Sequence, residues 1–352
     1  IKLCSLVMIK DLEIFYFTGT GNARKIAMWF GECAENNNIS YKLHDISKID
    51  PNHITVKSNS LIIIISPIHG FNYPKITIDF IRHLPKKTND VILMNTRAGG
   101  RIGKLVTPGL TGIAFILASI ILRGKGYKIK GEIPFDMPSN WISIHPSYRE
   151  KTVKYLHRVN YNKVKNHADK IFSGMKDFAA SKDIVQDLLI APISFLYYLI
   201  GRYAFAKSFY ASYKCDNCNL CVKECPVNAI KLTNNRPYWT LKCESCMKCM
   251  NNCPKKAIET SHGLIAALVI LMLILSSLIP FQNLGDSSLA YWIQFIIKNI
   301  LFFSLLVFLY RIQQIFLNCK FTARIISYLS LTHYKFWGRY KSLSEFKWKN
   351  PV

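Results

Sequence analysis

The spacing of apolar residues divides the chain into three regions. Between residues 12 and 175, compact apolar runs alternate with stretches of helical periodicity. Residues 12–17, 61–66, 91–95 and 126–133 are short and rich in β-forming side chains, the mark of buried strands. Between them, Ile26, Ala27, Phe30 and Ala34 recur at helical spacing, and residues 148–175 form a closing helix with a solvated face of Lys, His and Asn. Residues 105–122 are apolar enough to suggest a membrane span. Pro108, Gly109 and Gly112 interrupt them, however, and the next strand must return to the same sheet, so a buried helix is expected. Strands alternating with helices predict an α/β domain built on a doubly wound parallel sheet.

The middle and last regions read differently. Residues 188–200 are an apolar core broken by Pro192, at thirteen positions too short to span hydrocarbon and suited to lie on a membrane surface or to dock one domain on another. Residues 264–281 carry no charge, and eighteen helical positions cover roughly 27 Å, close to the thickness of a bilayer core. A polar turn at 282–288 leads into a second apolar stretch at 289–310, interrupted by Lys298, which costs about 2.5–3.5 kcal/mol at a bilayer centre. Together these predict a transmembrane hairpin. The turn contains Asp286 and no Lys or Arg, whereas Lys255, Lys256, Arg311, Lys320 and Arg324 flank the spans, which puts both ends on the cytoplasmic side.

Composition supports this division. The 352 residues include 46 Lys and Arg against 21 Asp and Glu, a net charge of +25, yet half the chain is apolar. Mean hydropathy is slightly positive at +0.13, so apolar segments must be concentrated beside basic ones. Residues 332–341 alternate basic and aromatic side chains. Beside a membrane span this is an anchor to anionic lipid rather than a nucleic-acid surface.

Two motifs carry chemistry. The first apolar run ends in Thr18-Gly19-Thr20-Gly21-Asn22-Ala23 and passes directly into a helix. Such a loop sets backbone N–H groups and two hydroxyls around an anion at a helix N-terminus, which suits a phosphate monoester. Arg24 occupies the third glycine position of a dinucleotide fingerprint, and no Gly-Lys-Ser/Thr ending is present, so dinucleotide and triphosphate loops are excluded. The second motif is Cys215-x2-Cys218-x2-Cys221-x3-Cys225-Pro226, repeated as Cys243-x2-Cys246-x2-Cys249-x3-Cys253-Pro254. Eight thiolates at this spacing hold two [4Fe–4S] clusters. The alternative is structural zinc, since paired Cys-x2-Cys also suits zinc, but a zinc site has no use for the third cysteine of each run. Cys4, Cys33 and Cys319 lie outside the motif.

The cysteine repeat resembles a bacterial two-cluster ferredoxin. In that family the fourth cysteine of each run serves the opposite cluster, which implies Cys215, Cys218, Cys221 and Cys253 on one cluster and Cys243, Cys246, Cys249 and Cys225 on the other. The N-terminal region resembles a flavodoxin, whose phosphate loop follows T/S-x-T-G-x-T/A and binds FMN. That resemblance implies phosphate contacts from Thr18, Gly19, Thr20, Gly21, Asn22 and Ala23. It also implies ring contacts from two loops after strands, one with Pro67, His69, Gly70 and Phe71, the other with Arg97, Ala98, Gly99 and Gly100. Phe71 or Tyr73 is the expected stacking aromatic, and Arg97 is either a charge beside the ring or a solvated surface group. Residues 137–141 resemble a loop of flavodoxin-like domains fused to ferredoxins.

As a whole the chain resembles the flavodoxin and ferredoxin fusion proteins of anaerobic bacteria. The expected organisation is a flavodoxin-like domain (1–181), a linker or interfacial helix (182–213), a small α+β two-cluster ferredoxin domain (214–261), transmembrane helices (262–318) and a basic cytoplasmic tail (319–352). The resemblance implies electron transfer at the cytoplasmic membrane between a soluble donor or acceptor protein, two [4Fe–4S] clusters and FMN. Two alternatives stand beside it: a reductase acting on a small organic molecule or quinone at its flavin, and a zinc-stapled membrane adaptor without redox chemistry.

Overall fold

The computed structural model describes residues 9–278 and 288–340. The polar turn at 282–288 and the end of the first expected span lie largely outside those residues, as does the chain beyond Tyr340.

The N-terminal domain runs β1 (Asp11–Tyr16), α1 (Asn22–Asn36), β2 (Ser40–Asp45), β3 (Leu61–Pro67), α2 (Lys75–His83), β4 (Asp90–Ile102), β5 (Leu105–Thr107), α3 (Ala114–Gly124), β6 (Lys128–Pro138) and α4 (Glu150–Phe172). Five strands are parallel in the order β2-β1-β3-β4-β6, the flavodoxin-like order of a doubly wound sheet. Strand alternation sorts the core. Leu12, Ile14, Ile63, Ile65, Ile92 and Met94 face α1 and α4, whereas Phe15, Phe17, Ile62, Ile64, Val91 and Leu93 face α2 and α3. Residues buried on both faces explain why these strands read as continuous apolar runs.

Two expectations change here. Residues 96–100 are not a loop, because β4 continues to Ile102, pairing with β6 as far as Gly99 and with β5 beyond. Residues 105–107 accordingly form β5 rather than a helix, and the helix begins only at Ala114, after the turn at Gly112 (φ 64°). Apolarity was read as helix where an antiparallel extension of β4 took the residues instead.

The linker also differs. A 3-10 turn (Ala179–Asp183), α5 (Ile184–Leu196), a π-helical turn (Tyr197–Gly201) and α6 (Arg202–Ala206) form one helical run of 28 residues. Pro192 does not break it; the hydrogen bond that proline cannot make is followed by a widened turn. One side of the run is docked on the N-terminal domain. Asp187 accepts from Gly112 N–H at 2.8 Å, and the Ser194 hydroxyl donates to Phe71 O at 2.9 Å. Leu189, Phe195 and Leu199 remain exposed on the other side.

The cysteine region comprises β7 (Phe209–Ala211), α7 (Leu220–Lys223), β8 (Ile230–Thr233), β9 (Arg236–Trp239), α8 (Lys248–Asn252) and β10 (Ile258–Thr260). β7 pairs with β10, and β8 pairs with β9 through Asn234-Asn235, both at positive φ as a tight hairpin turn requires. Three helices follow: α9 (His262–Leu278), α10 (Ser288–Phe316) and α11 (Lys320–Tyr328). α9 and α10 pack through Leu264, Leu268 and Leu306, while Leu273, Leu289 and Ile300 are exposed. α10 is fastened to the cysteine domain: the Tyr310 hydroxyl donates to Phe209 O at 3.0 Å and accepts from Trp239 N–H at 3.3 Å.

The described part of the tail, up to Tyr340, is bonded to the cysteine domain and to the loop after β6. Trp337 Nε1 donates to Ile142 O at 2.6 Å, Arg339 donates to Ile258 O at 2.8 Å and to Lys256 O at 2.9 Å, and Tyr340 is buried. Alternation with charge does not distinguish a membrane face from a strap, and among the described aromatics of this stretch Tyr334 and Phe336 are exposed.

Candidate functional site

Two small cavities lie inside the cysteine domain, and each has four sulfur-bearing walls. One is lined by Cys215, Cys218, Cys221 and Cys253, the other by Cys225, Cys243, Cys246 and Cys249. The fourth cysteine of each run therefore stands at the opposite cavity. The turn before each proline carries it there, and backbone N–H groups of Ala229 and Ala257 point back at Cys225 Sγ (3.2 Å) and Cys253 Sγ (3.4 Å). Burial pushes the Cys221 and Cys246 thiols up to about 12 and raises Cys243 and Cys249 as well. Sulfurs held there as thiolates would need positive charge among them, which iron would supply. Among the described residues no three His, Cys, Asp or Glu side chains are spaced to close on a single metal ion.

A third cavity sits at the carboxyl ends of β1, β3 and β4, the crevice where doubly wound sheets bind ligands. Thr18, Gly19, Thr20, Asn22, Ala23, Pro67, His69, Gly70, Arg97 and Ala98 line it. Gly21, Phe71, Gly99 and Gly100 do not. Gly21 caps α1 with φ 105° and its N–H donates to Thr18 Oγ1 at 3.0 Å. Phe71 turns its backbone to Ser194 and Ile113, Gly99 packs on the Asp136 backbone, and Gly100 pairs with Thr107 in the β4–β5 hairpin. Tyr73 is wholly buried, its hydroxyl donating to Met94 O at 2.9 Å.

The aromatics at this cavity are Trp141 and Tyr197, whose rings meet edge to face at 6.4 Å. Tyr197 comes from the linker helix and lies against Gly70, where φ is 53° and a Cβ would fall 2.0 Å from the tyrosine ring. Ser245, from between Cys243 and Cys246, completes the wall with Pro138, Ser139 and Asn140. Residues 138–141 belong to the stretch 137–141, singled out in the sequence by its resemblance to a loop of fusion-type domains. Tyr197 and Ser245 carried no local signal, because each is brought in by tertiary docking from outside the α/β domain.

Arg97 is neither solvated nor an uncompensated charge. It is 3% exposed, and its guanidinium donates to Asp136 Oδ1 at 2.7 Å and to Asp183 Oδ2 at 2.6 Å. Two carboxylates neutralise it and tie the linker to β6.

The remaining chemistry of the cavity suits a phosphate-bearing, polar ring. α1 begins with no side-chain cap and no acidic residue in its first turn, leaving its first N–H groups for an anion beside Thr18 and Thr20. Asn140 Nδ2 donates to Thr20 Oγ1 at 2.6 Å and Asn22 Nδ2 to Pro138 O at 2.9 Å, which holds the loop in place. Deeper in, His69 Nδ1, Trp141 Nε1 and Ser245 Oγ are buried without a hydrogen-bond partner among the described residues. Burial also lowers His69 to about 4, so its ring is neutral at physiological pH.

Comparison with curated proteins gives no match. Among solved structures, the rubredoxin oxygen:oxidoreductase of Desulfovibrio gigas is 14% identical with a TM-score of 0.32, covering 47% of this chain and 37% of that one. A flavodoxin from the domain Archaea is 11% identical (TM-score 0.27, 45% and 99% covered), and the two-electron reduced flavodoxin of Megasphaera elsdenii is 16% identical (TM-score 0.28, 43% and 98% covered). Residues 214–258 match the family described as a 4Fe-4S dicluster domain. Residues 214–258 are thus a 4Fe-4S dicluster domain, and they follow an α/β domain whose own strand order is that of a flavodoxin-like sheet.

Proposed function

We propose that the chain is a membrane-anchored electron-transfer protein in which electrons pass between a soluble redox partner, two [4Fe–4S] clusters and FMN at the cytoplasmic face. The observation that carries this reading is the shared wall: Ser245, the residue immediately before Cys246, lines the same cavity as the phosphate loop. Bound there, FMN would supply exchange between one-electron and two-electron chemistry, and the clusters single-electron steps. The residues of the chain position and insulate. Thr18, Thr20, Asn22, Ala23 and the first N–H groups of α1 would hold the phosphate; Pro67, His69, Gly70, Ala98, Trp141 and Tyr197 would enclose the ring and exclude water. Neutral His69 would offer one ring nitrogen as a hydrogen-bond partner without adding charge.

Membrane attachment rests on α9 and α10, apolar over most of their length and exposed around Leu273 and Ile300, with Lys255, Lys256, Arg311, Lys320 and Arg324 at the ends nearest the redox domains. The exposed side of the linker helix, with Leu189, Phe195 and Leu199, suits the bilayer surface, and anionic lipid suits the basic ends. The protein purified anaerobically in detergent should contain two cubanes' worth of iron and sulfide and one FMN per chain. It should resist extraction from membranes by carbonate. A colourless, iron-free preparation would refute the redox reading, and carbonate release would refute the anchor.

A further inference from the structure

The two cysteine runs share one backbone. Two and four positions after the first cysteine of each run the chain turns left-handed: Asn217 (φ 59°) and Asn219 (φ 60°) in the first, Ser245 (φ 49°) and Met247 (φ 62°) in the second. The first run uses asparagine, which tolerates this conformation better than most side chains. The second accepts the cost of a serine and a methionine in the same places. Met247 has an evident reason, since it is buried in the core of the cysteine domain. Ser245 has no such packing role. Its N–H donates to Cys243 Sγ at 3.4 Å, the residue is 6% exposed, and its hydroxyl has no partner among the described residues. An unpartnered buried hydroxyl is unfavourable enough to call for an explanation, and here the side chain lines the cavity that also holds Thr18, His69, Trp141 and Tyr197.

Close contact of the two loops is built into the sequence on the other side as well. A Cβ at Gly19 would lie 2.1 Å from Cys246 O, so only glycine lets the phosphate loop and the cysteine loop approach this closely. Glu244 secures the contact by accepting from Lys75 N–H at 3.0 Å. Ser245 lines both the cavity of the phosphate loop and that of Cys225, Cys243, Cys246 and Cys249, whereas the cavity of Cys215, Cys218, Cys221 and Cys253 shares no lining residue with the phosphate-loop cavity.

Building on the proposed FMN site, we infer that Ser245 is a flavin-contact residue. Its hydroxyl hydrogen-bonds the ring while its own N–H holds a sulfur of the adjacent cluster. The four cysteines 225, 243, 246 and 249 therefore form the inner relay that exchanges electrons with the flavin, and cysteines 215, 218, 221 and 253 form the outer relay toward the soluble partner. Each hop moves one electron, supplied by that partner, and makes or breaks no bond in the chain.

The test uses the full-length anaerobic protein carrying Ser245→Ala or Ser245→Gly. Both remove the hydroxyl, and glycine also relieves the left-handed strain. Both should retain wild-type iron and sulfide, bind added FMN about tenfold more weakly, and shift the flavin midpoint potential equally in spectroelectrochemical titration. Wild-type affinity and potential in the two variants, with clusters intact, would overturn the assignment. So would a shift in Ser245→Ala that Ser245→Gly restores, which would mark backbone strain as the cause. The relay order is read separately by photochemical reduction followed at the flavin absorbance. Cys218→Ser, retaining about half the iron, should pass electrons to the flavin at the wild-type rate, and Gly19→Ala, with both clusters loaded, should slow that transfer. Loss of transfer in Cys218→Ser would reverse the order. Absence of flavin or iron from the unmodified protein would instead strike the functional reading on which this one rests.

Discussion

The Tyr340 hydroxyl donates to Asn22 Oδ1 at 2.7 Å, joining the C-terminal tail to the first residue of α1. Asn22 in turn donates to Pro138 O, so one amide receives a bond from the tail and gives one to the end of β6. The phosphate loop is thereby braced by a residue more than three hundred positions away.

Removing that brace should be felt at the flavin. Tyr340→Phe deletes one buried hydrogen bond, a loss of about 1 kcal/mol. FMN should bind several-fold more weakly in fluorescence titration, with iron content unchanged.

Arg97 is expected to matter for stability before anything else. Arg97→Met leaves Asp136 and Asp183 without their shared partner, and uncovering a buried carboxylate costs about 3–5 kcal/mol. The urea midpoint should fall by a corresponding amount, and Asp183→Asn, which leaves the Asp136 pair in place, should cost less.

Gly70 is held between two constraints, a left-handed backbone and the ring of Tyr197. Gly70→Ala should cost about 1–2 kcal/mol for the backbone alone, with further loss as Tyr197 is pushed off. Limited proteolysis within residues 184–206 should accelerate, and FMN retention on a desalting column should fall.

Acid should weaken the fold through two histidines. His69 and His157 are lowered from 6.5 to about 4, each chiefly by burial. Above pH 6.5 both rings are neutral folded or unfolded, and stability does not depend on them. Between 6.5 and 4 the unfolded chain binds protons that the folded chain refuses, so stability falls with pH by at most about 3 kcal/mol per ring. Below 4 both states are protonated and the loss levels off. His157→Gln should remove part of the slope in urea midpoints measured across that window.

The α/β domain was legible because both sheet faces are covered, so Leu61 to Ile65 could only be a central strand. The cysteine domain was legible because thiolate spacing is dictated by the size of what it holds. The sequence did not show which aromatics line the cavity. Tyr197 sits in a helix whose local pattern is that of any apolar segment, and its role comes from Asp187 and Ser194 docking that helix on β4's neighbours. Ser245 was hidden for the opposite reason: it stands inside a motif already explained by its cysteines. Of the two readings of Arg97, only the solvated one fails, and its ion pairs were hidden because a carboxylate from β6 and one from the linker converge on it only after folding.

The bonds from Tyr310 to Phe209 and Trp239 have a mechanical meaning. They clamp the base of a long apolar helix to the strands beneath the cysteines, with no slack segment between them. A pendant head on a string can sweep a wide area and greet visitors from any angle. With α10 in a bilayer as proposed, this one would be a lamp on a rigid post: its height and tilt over the lipid would be set once, and a redox partner would have to come to the side that the post leaves open.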